Sequence, residues 1–291
     1  SLKYYQTDHL NIGRESLIRY LRLVFPIMIL YTVVYFLHEL GLFNKLESAL
    51  AISGGGDKAI DYSKITSLQF MYKTALFRTL IKSTADFVFP LWMIYAVFIG
   101  DIIALLFSEV WNSLKNSTAR VLVSILCLFI LWHVNFLYVL CVFASGLAYA
   151  YHKRIEIPGI LTIFSTILGV AVGFHRGQTN LDKWLYIAGG TAPLFVCVNS
   201  KMLNSICSCR LSLALGELSF PVYLVHQPVT TSVCAYLCLY LNTIGLNKGY
   251  QNTLLFLAFL LMTILLAIIW LKMIQPLIQK CIAFIVKVLF Q

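Results

Sequence analysis

Long apolar runs separated by short polar stretches dominate the chain. A membrane span needs about 20 mostly apolar residues, and its backbone groups must pair within the segment, which favours helices. Such runs lie near residues 23–41, 88–108, 121–133, 136–151, 158–174, 184–199, 212–240 and 252–274. Segments such as 254–270 lack the alternation of a β-barrel strand. The pattern predicts an all-α polytopic membrane bundle of about eight helices, forming a single membrane domain over residues 1–291.

The stretch from Val121 to Tyr151 permits two interpretations. Only His133, Val134 and Asn135 interrupt it, so it is either one long helix or two short spans joined by a tight polar turn. We prefer two spans because the basic residues then fall consistently on one side of the membrane.

The positions of the basic residues predict the orientation of the bundle. Lys and Arg accumulate in cytoplasmic loops, and long loops contribute little to this rule. The long segment 42–87 is therefore expected outside despite its basic residues, and both termini are expected in the cytoplasm. The residues assigned inside are Lys3, Arg14, Arg19, Arg22, Lys115, Arg120, Lys153, Arg154, Lys201, Arg210, Lys272, Lys280 and Lys287.

Composition excludes several other classes of protein. The chain is 60% hydrophobic and 12% charged, with a mean hydropathy of +0.83, whereas soluble domains carry about 25% charged residues. The net charge of +10 is interleaved with the spans, which argues against a nucleic-acid surface. Cys207 and Cys209 are too close together for a usual zinc pair, so no metal is expected. Most cysteines lie in apolar runs and are expected to pack as small hydrophobes.

His226 is the most prominent ionisable residue within a predicted span. It lies between Pro221 and Pro228, which would disturb the helix and free backbone carbonyls. Ser219, Tyr223 and His226 follow at i+4 and i+3 spacing on one face, with Glu217 nearby. This face predicts a polar-lined cavity with His226 as a catalytic candidate. A histidine bonded to a neighbouring helix at a structural kink is the alternative.

Three further charged residues are candidates for the site. Asp101 lies deep in the second predicted span, where a carboxylate needs a partner. It is either a catalytic group or a residue packed at Gly100. Arg19 and Arg22 precede Pro26 at the cytoplasmic mouth of the first span. They either anchor the topology or hold an anionic ligand such as a pyrophosphate.

Four sequence pieces resemble acyltransferase family 3 of membrane proteins, and they occur in the family's order. The run Leu215-Gly216-x-x-Ser219-Phe220-x-x-Tyr223-Leu224-x-His226-x-Pro228 resembles the family's closing signature. The others are Arg19-Tyr20-Leu21-Arg22-Leu23-x-x-Pro26, Phe89-Pro90-Leu91-Trp92 and Phe143-Ala144-Ser145-Gly146-Leu147-Ala148-Tyr149.

The resemblance implies a bundle of about ten helices that moves an acyl group, often acetyl from coenzyme A, onto a hydroxyl of a cell-surface or lipid-linked carbohydrate. It implies that Arg19 and Arg22 hold the coenzyme's phosphates. Tyr223, Ser219, Glu217 and Trp92 are expected to contact the substrate, with His226 and Asp101 as catalytic residues. Acetyl-CoA or another acyl-CoA is the expected donor, and no metal is needed. The expected location is a bacterial inner membrane or a eukaryotic endomembrane or plasma membrane.

Two departures from the family pattern raise a second hypothesis. The family's catalytic histidine follows an arginine by eleven residues on the first helix, and no arginine here has a histidine at that offset. The chain is expected to begin at the family's third helix and to lack its first two. The glutamate that usually follows the Leu-Trp pair is also missing, with Asp101 the only acid in that region. The alternative is a non-catalytic transporter or partner subunit derived from the family.

Overall fold

A computed structural model describes most of the first half of the chain and residues 200–290 near its C-terminal end. The described residues are 11–53, 65–81, 91–133 and 200–290, with the single helical positions Ile160, Ile163, Phe164, Ile167, Ala171, Leu185 and Gly189. Within these ranges the chain forms helices joined by turns and contains no strand. The all-α prediction is confirmed for this part of the chain.

We number the helices of the described ranges in chain order. The first five are α1 (Ile12–Glu39), α2 (Leu46–Ser53), α3 (68–81), α4 (Trp92–Ser113) and α5 (Ser117–His133). They are followed by α6 (Lys201–Cys207), α7 (Arg210–Thr243) and α8 (Lys248–Phe290). Each of α3, α7 and α8 contains one π-helical turn, at Thr74–Arg78, Thr230–Cys234 and Trp270–Ile274 respectively.

Four of these helices are long and apolar enough to cross a membrane. They are Ile12–Glu39, Met93–Ser113, Arg210–Thr243 and Lys248–Phe290. They overlap the predicted spans 23–41, 88–108, 212–240 and 252–274, although the first begins eleven residues before its prediction. The apolar helix Ser117–Leu131 is shorter and overlaps the prediction 121–133. The predicted spans 136–151, 158–174 and 184–199 lie outside the described residues except for the single positions above. The total of about eight spans stays a prediction.

Short-range polar contacts define where the helices start and stop. The Asn11 side chain accepts a hydrogen bond from the Arg14 backbone N–H at the start of α1, as expected of a helix cap. At its end, Gly41 has a φ of 69°. The N–H groups of Gly41 and Leu42 donate to the carbonyls of His38 and Leu37. This arrangement closes the helix and favours glycine, since other residues are strained at positive φ.

The chain groups into two compact units. The first contains Ser1–Leu17 and Ala96–Leu213, and the second contains Ile18–Tyr95 and Ala214–Gln291. In the first, the Arg120 guanidinium lies 5.5 Å from the Trp111 ring centre and donates to the Leu114 carbonyl. These contacts join the end of α4 to the start of α5. The assignment of the chain to a single membrane domain stays a prediction.

The segment predicted as a long outside loop, 42–87, contains α2 and α3 in its described residues. In the second unit, α3 buries Met71, Ala75 and Leu80. Three hydroxyl contacts connect the two helices: Tyr20 to the Leu76 carbonyl, Tyr31 to Thr79, and Thr32 to Tyr72. Much of this segment is therefore part of the packed bundle. Its side of the membrane stays a prediction.

The last helix is longer than the predicted span. We expected 252–274, but α8 continues without interruption to Phe290. The extension buries Ile278, Ile282 and Val286, which are spaced four residues apart and so share one helix face. Hydropathy underestimated this helix because Lys280 and Lys287 interrupt the apolar run, although a partly exposed helix tolerates lysines on its outer face.

Candidate active site

The candidate site lies on α7 around His226, where two prolines alter the helix. Pro228 has no N–H and therefore cannot pair with the carbonyl of Leu224. Directly afterwards, hydroxyls of Thr230 and Thr231 donate to the carbonyls of His226 and Gln227, at 2.8 and 3.0 Å. Backbone groups at membrane depth need partners. These hydroxyls thus supply local hydrogen bonds where the helix widens into its π-helical turn.

The His226 imidazole is oriented by the backbone of its own helix. Its Nδ1 lies 2.8 Å from the carbonyl oxygen of Tyr223 and 3.3 Å from that of Val222. A carbonyl oxygen only accepts hydrogen bonds, so Nδ1 carries the proton. In the neutral ring Nε2 then has a free electron pair. A histidine held in this tautomer is arranged to accept a proton through Nε2.

Tyr223 lies beside His226 and carries a buried hydroxyl. The two ring centres are 6.0 Å apart with the planes tilted by 46°. The Tyr223 hydroxyl is buried and makes no hydrogen bond. It lies near the backbone of Met93 at the start of α4, but not in hydrogen-bonding geometry. Because a buried hydroxyl without a partner costs stability, it is a candidate for contact with a ligand.

Gln227 is a further candidate for the site, and the sequence analysis did not include it. Its Oε1 atom is buried and has no hydrogen-bond partner, and it lies one helical turn after Tyr223 on the same face. The i+4 spacing from Tyr223 places Gln227 on the same helix face and could have identified it. The search considered ionisable residues, and Gln227 is a neutral amide. Tyr223 and Gln227 together place two unsatisfied polar atoms next to His226.

The remaining members of the predicted face are not part of this cluster. Ser219 is exposed, and its hydroxyl donates to the carbonyl of Gly216 within its own helix. Glu217 is also exposed. The helical spacing correctly brought Tyr223 and His226 together, but it could not distinguish the buried part of the face from its exposed continuation.

Arg19 and Arg22 differ in their environments. Arg19 is buried, with 9% of its surface exposed, whereas Arg22 is exposed. Both belong to α1 in the second unit, one turn apart. Arg22 is therefore accessible to an anion from solution, while Arg19 lies within the packed part of the helix.

Asp101 and Trp92 both lie on α4. Asp101 is half-buried and belongs to the first unit, whereas the His226 cluster belongs to the second. Trp92 is the first residue of α4, and its side chain lies outside the described part of the structure. The catalytic role of Asp101 and the substrate contact of Trp92 stay predictions. Among the described residues no group of three or more His, Cys, Asp or Glu side chains could hold a metal ion.

Comparison with known protein families decides the assignment of the chain. The acyltransferase domain of acyltransferase family 3 matches residues 17–272. The chain belongs to this family. The match includes every candidate site residue from Arg19 to His226 and confirms the resemblance found in the sequence motifs. No curated protein and no solved structure matches the chain significantly.

Membership of acyltransferase family 3 agrees with the presence of four helices that are long and apolar enough to cross a membrane. Together they identify the protein as an integral membrane protein of an acyltransferase family. The cluster of His226, Tyr223 and Gln227 lies at the middle of its helix α7, within the matched residues. A group able to accept a proton is thus placed within an apolar helix, where ionisable residues point to function.

Proposed function

We propose that this protein transfers an acyl group from a cytoplasmic acyl-CoA onto a hydroxyl of a cell-surface or lipid-linked carbohydrate. The observation that supports it most directly is the hydrogen bond from His226 Nδ1–H to the Tyr223 carbonyl, at 2.8 Å. This bond leaves Nε2 to act as a general base towards an acceptor hydroxyl. The membership in acyltransferase family 3 supports the reaction class.

The proposed reaction proceeds through a tetrahedral intermediate. His226 Nε2 takes the proton of the acceptor hydroxyl as its oxygen attacks the thioester carbonyl carbon. The Tyr223 hydroxyl donates to the oxyanion that forms. When the intermediate collapses, the carbon–sulfur bond breaks and the coenzyme leaves as a thiolate. The thiolate takes the proton from the imidazolium, which yields an ester, free coenzyme A and neutral His226.

The two arginines of α1 suit the charged part of the donor. Guanidinium groups bind phosphate oxygens through paired hydrogen bonds. Exposed Arg22 would contact the coenzyme's phosphates, and Arg19 would support this contact from within the helix packing. The family resemblance makes acetyl-CoA the simplest donor. Asp101, Trp92, Ser219 and Glu217 remain further proposed contacts of the reacting groups.

The proposal includes an oriented bundle. We propose about eight spans with both termini in the cytoplasm, because the basic residues then follow the positive-inside rule. The α1 arginines and the start of α7 at Arg210 would lie on the cytoplasmic side. A donor from the cytoplasm would meet Arg22 first and His226 deeper in the membrane.

Removal of the His226 imidazole tests the proposed chemistry. We expect His226→Ala to lower acetyl transfer by at least about 100-fold, since general bases contribute roughly 10²–10⁴-fold. The purified chain in lipid nanodiscs would receive acetyl-CoA with methyl glucoside or octyl glucoside, and coenzyme release and ester formation would be measured. His38→Ala removes a histidine near the end of α1 and serves as the matched control. Equal loss of activity in both variants would contradict the proposed role.

The second hypothesis is a non-catalytic transporter or partner subunit. The same assay separates the two functions. Acyl-CoA binding without coenzyme release by the wild-type chain would support this hypothesis against acyl transfer.

A further inference from the structure

An open cavity of about 400 Å³, with exposed Thr230 and Phe256 at its lining, lies in the second unit, one turn beyond His226 along α7. Thr230, whose hydroxyl donates to the His226 carbonyl, belongs to its wall. The wall is formed by α2, the π-helical turn and last part of α7, and the first half of α8. The lining residues are Leu46, Ala49, Leu50, Thr230, Cys234, Ala235, Cys238, Leu255, Phe256 and Phe259.

The chemistry of the lining indicates an apolar ligand. Every lining side chain other than Thr230 is hydrophobic, and cysteine packs as a small hydrophobe. The Thr230 hydroxyl is already engaged with the His226 carbonyl at 2.8 Å. An apolar ligand that covers such an open lining is favoured because apolar surface is removed from water. The volume also lies within the range of roughly 300–1,000 Å³ that is typical of small-ligand sites.

The direction of α7 distinguishes between possible occupants. The helix runs from Arg210 past His226 to Thr243, and the cavity is lined by its residues 230–238. With a rise of 1.5 Å per residue, the cavity extends over roughly 6–18 Å beyond His226. A coenzyme approaching from the Arg210 end, with its thioester carbonyl at His226, would direct its acyl tail into this space.

We propose that this cavity binds the hydrocarbon tail of the acyl donor, so that the enzyme uses medium-chain fatty acyl-CoA in preference to acetyl-CoA. The inference rests on the proposed acyl transfer and narrows its substrate class. Each methylene that leaves water contributes about 0.8 kcal/mol, a factor of about four in affinity. Ordering of the chain offsets part of this gain. An octanoyl donor should nevertheless exceed an acetyl donor in kcat/KM by at least about tenfold.

Filling the cavity provides the first test. Ala49 and Ala235 are buried lining residues, and Ala49→Phe places a ring in the space proposed for the tail. We expect it to lower the ratio of octanoyl-CoA to acetyl-CoA kcat/KM by about tenfold or more. Ala283→Phe adds the same bulk at an exposed position of α8 and should leave the ratio unchanged. An unchanged ratio in a folded Ala49→Phe protein would overturn the proposal.

A second variant guards against simple misfolding. Phe259→Ala enlarges the cavity on the α8 side, so we expect the preferred donor to become longer, from octanoyl-CoA towards dodecanoyl-CoA. Opposite shifts in chain-length preference from Ala49→Phe and Phe259→Ala cannot arise from a general loss of fold. No shift with Phe259→Ala, combined with no shift with Ala49→Phe, would refute the assignment of the cavity.

Equilibrium binding separates this inference from the proposed reaction. Octanoyl-CoA and acetyl-CoA would be titrated into the wild-type chain and Ala49→Phe in nanodiscs. If Ala49→Phe abolishes a binding preference for octanoyl-CoA while no chain turns over either donor, the cavity assignment stands and acyl transfer fails. If the wild-type chain turns over acetyl-CoA and shows no preference for octanoyl-CoA, acyl transfer stands and the cavity assignment fails.

The acceptor provides the remaining comparison, since a lipid-linked acceptor also carries a hydrocarbon chain. Ala49→Phe should affect methyl glucoside and octyl glucoside equally as acceptors when acetyl-CoA is the donor. A selective loss with octyl glucoside would show that the cavity holds the acceptor's chain, and it would overturn the assignment to the donor.

Discussion

The environment of single polar side chains separates residues that the sequence treats alike. Tyr223 and Ser219 share a predicted helix face, yet the Tyr223 hydroxyl is buried without a partner and Ser219 is exposed. Arg19 and Arg22 lie one turn apart, and only Arg19 is buried. The burial of a single side chain depends on which neighbouring helix covers it. The spacing of residues within one helix carries no information about that neighbour.

Tyr223→Phe should separate stability from activity. The substitution keeps the ring beside His226 and removes a buried hydroxyl that has no partner. We expect the free energy of unfolding in detergent to be unchanged or to rise by up to about 1 kcal/mol. Acyl transfer should fall by about 100-fold if the hydroxyl stabilises the oxyanion. Tyr240→Phe, at an exposed tyrosine, is the control, and a stability loss without an activity loss would show that Tyr223 is structural.

Cys209 gives a pH-dependent prediction outside the membrane spans. The hydroxyl and backbone N–H of Ser212 lie 3.3 and 3.4 Å from its sulfur and lower the pKa of this exposed thiol. A lower pKa means more thiolate at neutral pH, so alkylation should begin at a lower pH than for an ordinary cysteine. Ser212→Ala should raise the pKa and slow iodoacetamide labelling at pH 7, as followed by mass spectrometry in a Cys207→Ser background.

An identical pH profile with and without the Ser212 hydroxyl would contradict this explanation of Cys209 reactivity. The backbone N–H remains in the Ser212→Ala variant, so the expected change is partial. Ser208→Ala provides the neighbouring serine control.

At the scale of helices, hydroxyl contacts join α1 to a segment that hydropathy placed in a loop. Helix α3 is short, contains a π-helical turn and buries Met71 and Thr79 completely. The apolar run in α3 was too short to be predicted as a membrane span. Isolated helices of this length are marginal, so tertiary contacts such as those with α1 stabilise α3.

Loss of the contact between Tyr31 and Thr79 should weaken the pairing of α1 and α3. Their hydroxyl oxygens are 3.1 Å apart in a fully buried position. We expect Tyr31→Phe to lower the free energy of unfolding by about 1 kcal/mol, within the range for hydrogen bonds between membrane helices. Denaturant titration in mixed micelles would measure it, with Tyr240→Phe as the exposed control.

A double-mutant cycle with Thr79→Val isolates the pair. If the two effects add fully, the hydroxyls do not interact in the folded protein, and the contact contributes nothing to the pairing.

At the scale of the whole molecule, the predicted orientation connects the donor side to the site. The turns after α1 and before α8 should share the outer side, and the turn between α6 and α7 should face the cytoplasm. Exposed Asn44 and Leu246 lie in the first two turns, and exposed Cys207 and Cys209 lie at the third.

Labelling from one side of the membrane tests this orientation. In intact cells a membrane-impermeant maleimide should label Asn44→Cys and Leu246→Cys, whereas Cys207 and Cys209 should react only after permeabilisation. Labelling of Asn44→Cys and Leu246→Cys from opposite sides would contradict the proposed topology.

The sequence by itself determined the helical membrane class, the approximate positions of α1, α4, α7 and the first part of α8, and the family. These properties depend on apolar composition summed over about 20 residues and on short motifs, both of which are local. The family assignment additionally rests on residues 17–272 taken together.

The tertiary structure alone decided which polar groups meet. It left Tyr223 and Gln227 with unsatisfied buried atoms beside His226 and formed an apolar cavity one turn away. Cavities and burial arise from the packing of helices distant in sequence. Local sequence patterns therefore identify residues of the candidate site but not their arrangement in space.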